Sequence, residues 1–404
     1  MIDKYIKKLI KLEEQNQEKS INLIASENYI NKNILTLQSS SLSNKYAEGY
    51  SRSRYYGGCK YINKVELYAI NLCKKLFKVN YVNIQPHSGS QANQAVYLAL
   101  CNPKDKILSL YLKDGGHLSH GSKINYSGHF YTPLHYNLNI NGYINYNHIY
   151  EMAIKYKPKL IIAGASAYSR IINWATIKKI ANKTKSFFLA DIAHVAGLIT
   201  SNVYPSPVGI ADVITSTLQK TLNGPRGGLI LTNNRVLINK INKAVFPGLQ
   251  GGPFMNIIAA KALCFKYAMS RKFNMNQKKT IKNAKLLSTL LKNNGFAIIS
   301  YGTDTHLFLI NLNNINLTGL KAQIMLENVN IITNKNTIPM EQQKSTICTG
   351  IRLGTPAITT RGFKSKEIIL ISKWITDILI KKVNKKLIKL KIINLCNKFS
   401  IYNT

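Results

Sequence analysis

Between Val79 and Thr232, short β-rich runs alternate with helix-like stretches, and this alternation restricts what the chain can fold into more than any other feature. The runs Tyr81 to Gln85, Leu160 to Gly164, Phe187 to Ala190 and Gly228 to Thr232 each adjoin a turn-like or polar segment. Strands separated by helices build an α/β layer around a mostly parallel sheet. In such sheets ligands gather at the carboxyl ends of the strands, so the polar residues just past these runs are the candidate site.

No internal repeat or low-complexity linker divides the sequence. Residues 1–45 read as an N-terminal arm of helix and loop, and residues 46–275 as the large α/β domain. Beyond the Gly-rich segment Phe246 to Pro253, a helical stretch from Met255 to about Leu291 leads to strands near Phe296 to Ile299 and His306 to Leu312. These place a smaller α+β domain over residues 276–404.

The 404 residues carry 55 Lys plus Arg against 17 Asp plus Glu, a net charge of +38. Charge of that size points first to nucleic acid or an anionic membrane. Here, however, Lys is spread from end to end beside abundant Asn and Ile, as A/T-rich codons favour, and forms no binding stripe. Neither nucleic acid nor membrane is expected as a partner. The basic stretch Phe363 to Phe399 mixes Lys with Ile and Leu at helical intervals and reads as a docked helix with a solvated Lys face. Six cysteines without a CxxC pair fit a reducing compartment. Met1 to Glu18 lacks the features of a secretory signal, and no apolar run reaches the roughly 18 residues needed to span a bilayer. A cytoplasmic location is expected.

Three segments carry chemistry. His87-Ser88-Gly89-Ser90-Gln91-Ala92-Asn93 follows the first run, and a Ser-Gly-Ser turn opening a helix offers N–H groups, hydroxyls and a positive dipole end to a phosphate. Phe187 to Ala190 leads into Asp191, where a strand-end carboxylate can keep the ring nitrogen of a pyridinium cofactor protonated. Asp191 and His194 also suit a metal, but no third ligand stands at a supporting spacing, and no metal is expected. Within Ala211 to Gly228, Lys220 lies between a β-rich run and a Gly/Pro-rich turn, where it can be held rigidly while cationic surroundings and desolvation lower its pKa enough to form a Schiff base. Phosphate turn, strand-end Asp and then Lys, in that order, is the arrangement of fold-type I pyridoxal-phosphate enzymes.

The resemblance then becomes specific. Leu23 to Tyr29, Asn44 to Tyr50, Arg54 to Gly58, Gln85 to Asn93, Gly115-Gly116-His117, Asp191 to Gly197, Lys220 to Gly228 and Gly350 to Ala357 resemble the signatures of the serine hydroxymethyltransferase family, in family order along nearly the whole chain. The resemblance implies a fold-type I transferase using pyridoxal 5′-phosphate to interconvert L-serine and glycine, with tetrahydrofolate as the one-carbon acceptor, in a homodimer. Lys220 would carry the cofactor, Asp191 would pair with its ring nitrogen and His117 would stack on its face. Ser166 and His194 would bond its 3′-oxygen region. Ser88, Gly89 and Ser90 would hold the phosphate, helped by Tyr46, Gly251 and Gly252 from the partner subunit. Arg352 would grip the substrate carboxylate with Ser26 and Tyr56, and Glu48 would transfer protons at the hydroxymethyl end. Leu112, Gly116, Leu118 and Asn336 match folate-contacting positions.

Departures are local. Gln219 stands where the family usually has His, Lys113-Asp114 and Arg170 replace small or apolar residues, and Gln342 to Ile347 lacks the family's Ser-Pro-Phe. The rival enzyme is a folate-independent β-hydroxy-amino-acid aldolase, against which the Glu48 motif and the folate-side positions argue. A nucleic-acid-binding protein on a degenerate enzyme fold would leave Asp191, Lys220 and Arg352 unexplained.

Overall fold

A computed structural model describes residues 3–381 and 383–402. Two compact units emerge, one from residues 30–278 and the other from the described residues before 30 and after 278.

The first unit is built on a seven-stranded sheet. Its strands are β1 (Tyr81–Asn83), β2 (Lys106–Leu110), β3 (Thr132–Tyr136), β4 (Leu160–Ala163), β5 (Phe187–Asp191), β6 (Val213–Thr217) and β7 (Gly228–Thr232). They lie in the order β1-β7-β6-β5-β4-β2-β3. Only β7 runs against its neighbours β1 and β6; all other pairs are parallel. Every residue of β4, β6 and β7 is buried. Strands covered on both faces need apolar residues at consecutive rather than alternate positions, which is why β4 and β7 read as short continuous runs, whereas β6 buries the hydroxyls of Thr215, Ser216 and Thr217.

Helices α1 (Lys60–Phe77), α2 (Gly89–Leu100) and α3 (Met255–Ala268) belong to the same unit. Ala92, Ala95, Val96 and Leu100 of α2 share one core with Ile107, Leu160, Ile162, Leu189, Val213 and Ile230 of the sheet. The expected single helical stretch from Met255 to Leu291 is two helices, because a new one, α4 (Arg271–Asn293), starts after Ser270. The Ser270 Oγ accepts a hydrogen bond from the Phe273 N–H at 3.2 Å, an N-cap that restarts the helix.

The second unit carries a four-stranded antiparallel sheet in the order β8 (Ala297–Ile298), β9 (Leu307–Asn311), β11 (Gly350–Gly354), β10 (Asn334–Asn336). Ile21–Asn22 pairs in parallel with Ile331–Ile332, tying the N-terminal segment to this unit. The basic C-terminal stretch folds as two helices, α5 (Ser365–Leu379) and α6 (Lys385–Cys396). Ile368, Ile371, Ile375 and Ile378 on α5, and Ile388 and Ile392 on α6, are buried in the unit's core, while the lysines of both helices face elsewhere.

Arg361 joins chain ends within this unit. Its guanidinium donates to the carbonyls of Gln17, Glu18 and Ser20, where the helix Lys4–Glu18 ends, and to those of Cys396 and Phe399, where α6 ends. Two helix C-termini, each a negative dipole end, share one buried cation. Arg361→Met should therefore destabilise the protein by about 3 kcal/mol, because it leaves buried carbonyls without donors. A urea midpoint equal to that of the wild type would remove this role.

Among the described residues no helix is long and apolar enough to cross a membrane, and no group of three or more His, Cys, Asp or Glu could hold a metal ion. All six cysteines are free and buried.

Candidate active site

Asp191 ends β5, at the carboxyl edge where a ligand is expected. Its Oδ2 accepts from Asn93 Nδ2 and His120 Nε2, each at 2.9 Å, and its Oδ1 accepts from the Ala193 N–H at 3.0 Å. Burial alone would raise the pKa of this carboxyl. The bond and charge of His120, the charge of His117 and the bond from Asn93 outweigh burial and hold it well below the usual carboxylate range. A fixed anion results, orientated by groups that are themselves fixed. Asn93 Oδ1 accepts from Thr215 Oγ1 at 2.6 Å, and Asn93 Nδ2 also donates to Ser119 Oγ at 2.9 Å.

His117 belongs to the same network, its Nδ1 lying 2.7 Å from Ser119 Oγ. Burial pushes its imidazole down to about 4, and the charges of His120 and Lys220 push the same way against that of Asp191. At neutral pH the ring is uncharged, a flat apolar face beside a fixed carboxylate.

A knotted turn past β6 presents Lys220. The Gly224 N–H donates to Leu218 O at 2.8 Å and the Asn223 N–H to Lys220 O at 3.1 Å. Thr221 Oγ1 donates to His194 O at 2.8 Å and accepts from the Gly197 N–H at 3.0 Å, which locks this turn to the segment following Asp191. Beside Lys220, the buried Gln219 Oε1 meets no donor among the described residues.

The Ser-Gly-Ser turn opens α2 directly, with Ser88 as N-cap and its Oγ accepting from the Gln91 N–H at 3.1 Å. The helix runs from Gly89 to Leu100. At Gly89 a Cβ would come within 2.4 Å of Thr217 Cγ2, so only glycine lets α2 start this close to β6. The N–H groups of Gly89 and Ser90 have no acceptor among the described residues. Two free amides at a positive dipole end are the donors an anionic oxygen needs.

Ser166 is placed by its N–H, which donates to Gly115 O at 2.8 Å. Gly115 and Gly116 close the turn Leu112–Asp114, and Leu118 is exposed. The unusual Asp114 is structural: it accepts from the Leu138 N–H at 2.9 Å and from Asn137 Nδ2 at 3.1 Å.

A second cluster gathers Tyr46, Glu48, Tyr56, Gly251 and Gly252. The Tyr46 and Tyr56 rings meet edge to face at 5.1 Å, a Cβ on Gly252 would touch the Tyr46 ring at 3.4 Å, and one on Gly251 would lie 3.0 Å from Glu48 Oε1. The charge of Glu48 raises the Tyr56 pKa. Buried groups hold the backbone beneath. Arg54 pairs with Glu66 and donates to the carbonyls of Ala47 and Gly49 at 2.7 Å, and Gln85 bridges Glu66 and Gly49. Gly49 sits at φ +88°, and a Cβ there would lie 2.2 Å from Ser53 O.

Arg352, Ser26 and Asn336 belong to the other unit. Arg352 lies on β11, 8% exposed, donating from Nε to Asn334 Oδ1 at 3.2 Å and from Nη2 to Ser26 Oγ at 3.4 Å. Burial lowers its pKa to about 10, which leaves it charged at neutral pH. Asn336 lies on β10 and donates from Nδ2 to Thr337 O.

Sequence reasoning missed His120, Ser119, Thr215 and the Asp191-binding role of Asn93. The only signal was the spacing of His117 and His120, which alone says nothing about a carboxylate 71 residues away.

An ionised strand-end carboxylate, a neutral imidazole, a neighbouring lysine and a helix start with free amides form a donor set that fits pyridoxal 5′-phosphate. On this mostly parallel sheet they define a fold-type I transferase of the pyridoxal-phosphate-dependent class. A family model described as serine hydroxymethyltransferase matches residues 1–375. A protein of that name from Buchnera aphidicola subsp. Schizaphis graminum (strain Sg) is 51% identical over 400 residues, 98% of this chain and 96% of the relative. Its namesake from Coxiella burnetii (strain Dugway 5J108-111) is 50% identical over 397 residues, 97% and 95% of the two chains. That of Phytoplasma mali (strain AT) is 53% identical over 372 residues, 91% and 89%. The chain belongs to the serine hydroxymethyltransferase family. Its reaction moves the hydroxymethyl carbon of serine to tetrahydrofolate and leaves glycine.

Proposed function

We propose that the chain carries out this reaction on pyridoxal 5′-phosphate attached through Lys220. Ser88, Gly89 and Ser90 hold its phosphate and Asp191 pairs with its ring nitrogen. His117 covers a ring face, and Ser166 and His194 serve the 3′-oxygen. The observation that carries this reading is the ionised Asp191, clamped by Asn93 and His120 beside an uncharged His117. When bound, the cofactor supplies an electron sink for the electrons of the serine Cα–Cβ bond.

The residues divide the remaining work. Arg352 and Ser26, already 3.4 Å apart, grip the serine carboxylate, where a planar guanidinium makes two parallel bonds that an ammonium cannot. Tyr56 completes that grip. Asp191 keeps a proton on the ring nitrogen, and Glu48 takes or returns the proton of the serine hydroxyl oxygen as the hydroxymethyl carbon leaves. Leu112, Gly116, Leu118 and Asn336 receive the folate. Tyr46, Glu48, Tyr56, Gly251 and Gly252 serve the site of a second copy in a homodimer. The protein works in the cytoplasm.

Folate dependence separates this reading from the folate-independent aldolase. Serine should be converted to glycine at least about 100-fold faster with tetrahydrofolate than without it, since the acceptor captures the leaving carbon in place. Equal rates in a glycine-formation assay with and without tetrahydrofolate would establish the aldolase instead.

A further inference from the structure

Lys261 is the one fully buried lysine among the largest buried side chains of the described residues, at 2% exposure on α3, and no step above uses it. Its Nζ donates to Ile84 O at 2.6 Å, Gly228 O at 2.8 Å and Pro86 O at 3.1 Å. Those acceptors have a common location. Ile84 and Pro86 follow β1 and lead into Ser88, while Gly228 opens β7 at the end of the segment that begins with Lys220. An ammonium has three protons, and each meets one of these carbonyls.

A second side chain braces the same strand end. Gln250 Nε2 donates to Gln85 O at 3.1 Å and Gln250 Oε1 accepts from the His87 N–H at 3.1 Å. Asn83 Oδ1 takes the Gln85 N–H at 2.9 Å, and the Gly228 N–H donates to Pro86 O at 2.9 Å. From Ile84 to His87 the backbone is thus held by side chains and by one strand neighbour. Burying a cation for this is costly. Burial lowers the Lys261 pKa to about 7, opposed by the fields of the buried Cys73 and Cys264 and of Glu66, which is itself paired with Arg54. A hydrophobic residue would fill the space more cheaply, so the expense points to a task at the strand end.

We infer that Lys261 is a positioning residue for the phosphate-binding turn: it fixes the Ile84–Pro86 backbone against Gly228, so that the free amides of Gly89 and Ser90 stand ready for the cofactor phosphate. It touches neither substrate nor cofactor. The inference rests on the assignment of Ser88, Gly89 and Ser90 as the phosphate site and predicts a loss specific to the phosphate.

The full-length wild type and Lys261→Met, each freed of cofactor by amino-acid exchange and dialysis, are titrated with pyridoxal 5′-phosphate and with pyridoxal, which lacks the phosphate. The wild type should prefer the phosphorylated form. Lys261→Met should weaken that form by on the order of tenfold or more and leave pyridoxal within about twofold, as expected when a charged set of hydrogen bonds that positions one subsite is lost. A lower melting temperature with an unchanged ratio of the two affinities makes Lys261 merely structural and overturns the inference. A wild type that binds both forms equally defeats the phosphate-site assignment instead.

Gly227→Ala gives an independent test should Lys261→Met not fold. A Cβ at position 227 would lie 2.6 Å from Lys261 Cε and 3.0 Å from Nζ, displacing the flexible end of the side chain while leaving the lysine present. It should lower the phosphate preference in the same direction, by at least about threefold. An unchanged preference in Gly227→Ala counts against the clamp as directly as one in Lys261→Met.

Discussion

Lys220→Ala is expected to yield a folded protein that cannot be covalently labelled with cofactor and that converts serine at least about 1,000-fold more slowly than the wild type. Lys220 sits half-buried in the turn between β6 and β7, and that turn is held by its backbone and by Thr221, not by the lysine head group. Removing the side chain should therefore cost little stability. The measurement is borohydride reduction of the loaded protein followed by peptide mapping: the wild type should carry label on Lys220, and the variant none. Lysine is spread from end to end of the chain, so a non-specific label has many places to go. The competitor to watch is Lys261, whose pKa of about 7 would make it nucleophilic, but its three bonds to carbonyls leave it unable to turn toward a ligand. Label on any residue other than Lys220 would falsify the assignment.

What could be read from the sequence, and what could not, follows from how far each feature depends on its neighbours in the chain. Strands β4, β5 and β7 were legible as short apolar runs, the pattern that burial on both faces demands. Asp191 was legible because it follows such a run, and Ser88 because capping and phosphate binding use the same local chemistry. His120 and Asn93 were not: their value lies in meeting Asp191 across 71 and 98 residues, and neither stands out among the polar residues around it. Lys261 was hidden for another reason. Lysine is so common here that one buried copy, within the helical pattern of α3, looks like any solvated one. The break at Ser270 was masked by strong helix formers on both sides, and the pairing of Ile21 with Ile331 spans a sequence distance over which local pattern carries no information.

The largest recovery of activity should come from mixing two dead proteins. Glu48→Gln keeps the size of the side chain but cannot take a proton from the serine hydroxyl, so it should be nearly inactive, as Lys220→Ala should be. The aromatic residues around Glu48 are exposed on a fixed backbone. Tyr46 is 57% exposed and Tyr56 48% exposed, while the backbone under them is fixed by the buried Arg54–Glu66 pair. Rigid exposed aromatics beside a carboxylate suit an interface, where aromatic area is gained with little conformational entropy lost. If that surface completes the site of a second copy, a mixed dimer holds one site with both Lys220 and Glu48 intact and one with neither. Random pairing makes half the dimers mixed, so the mixture should regain about one quarter of the wild-type rate per chain. The two variants should be refolded together, since a large interface does not open readily, and mixed dimers isolated through two different tags. Mixed dimers as inactive as either parent would place Lys220 and Glu48 in the site of a single chain, and the exposed tyrosines would then need another partner.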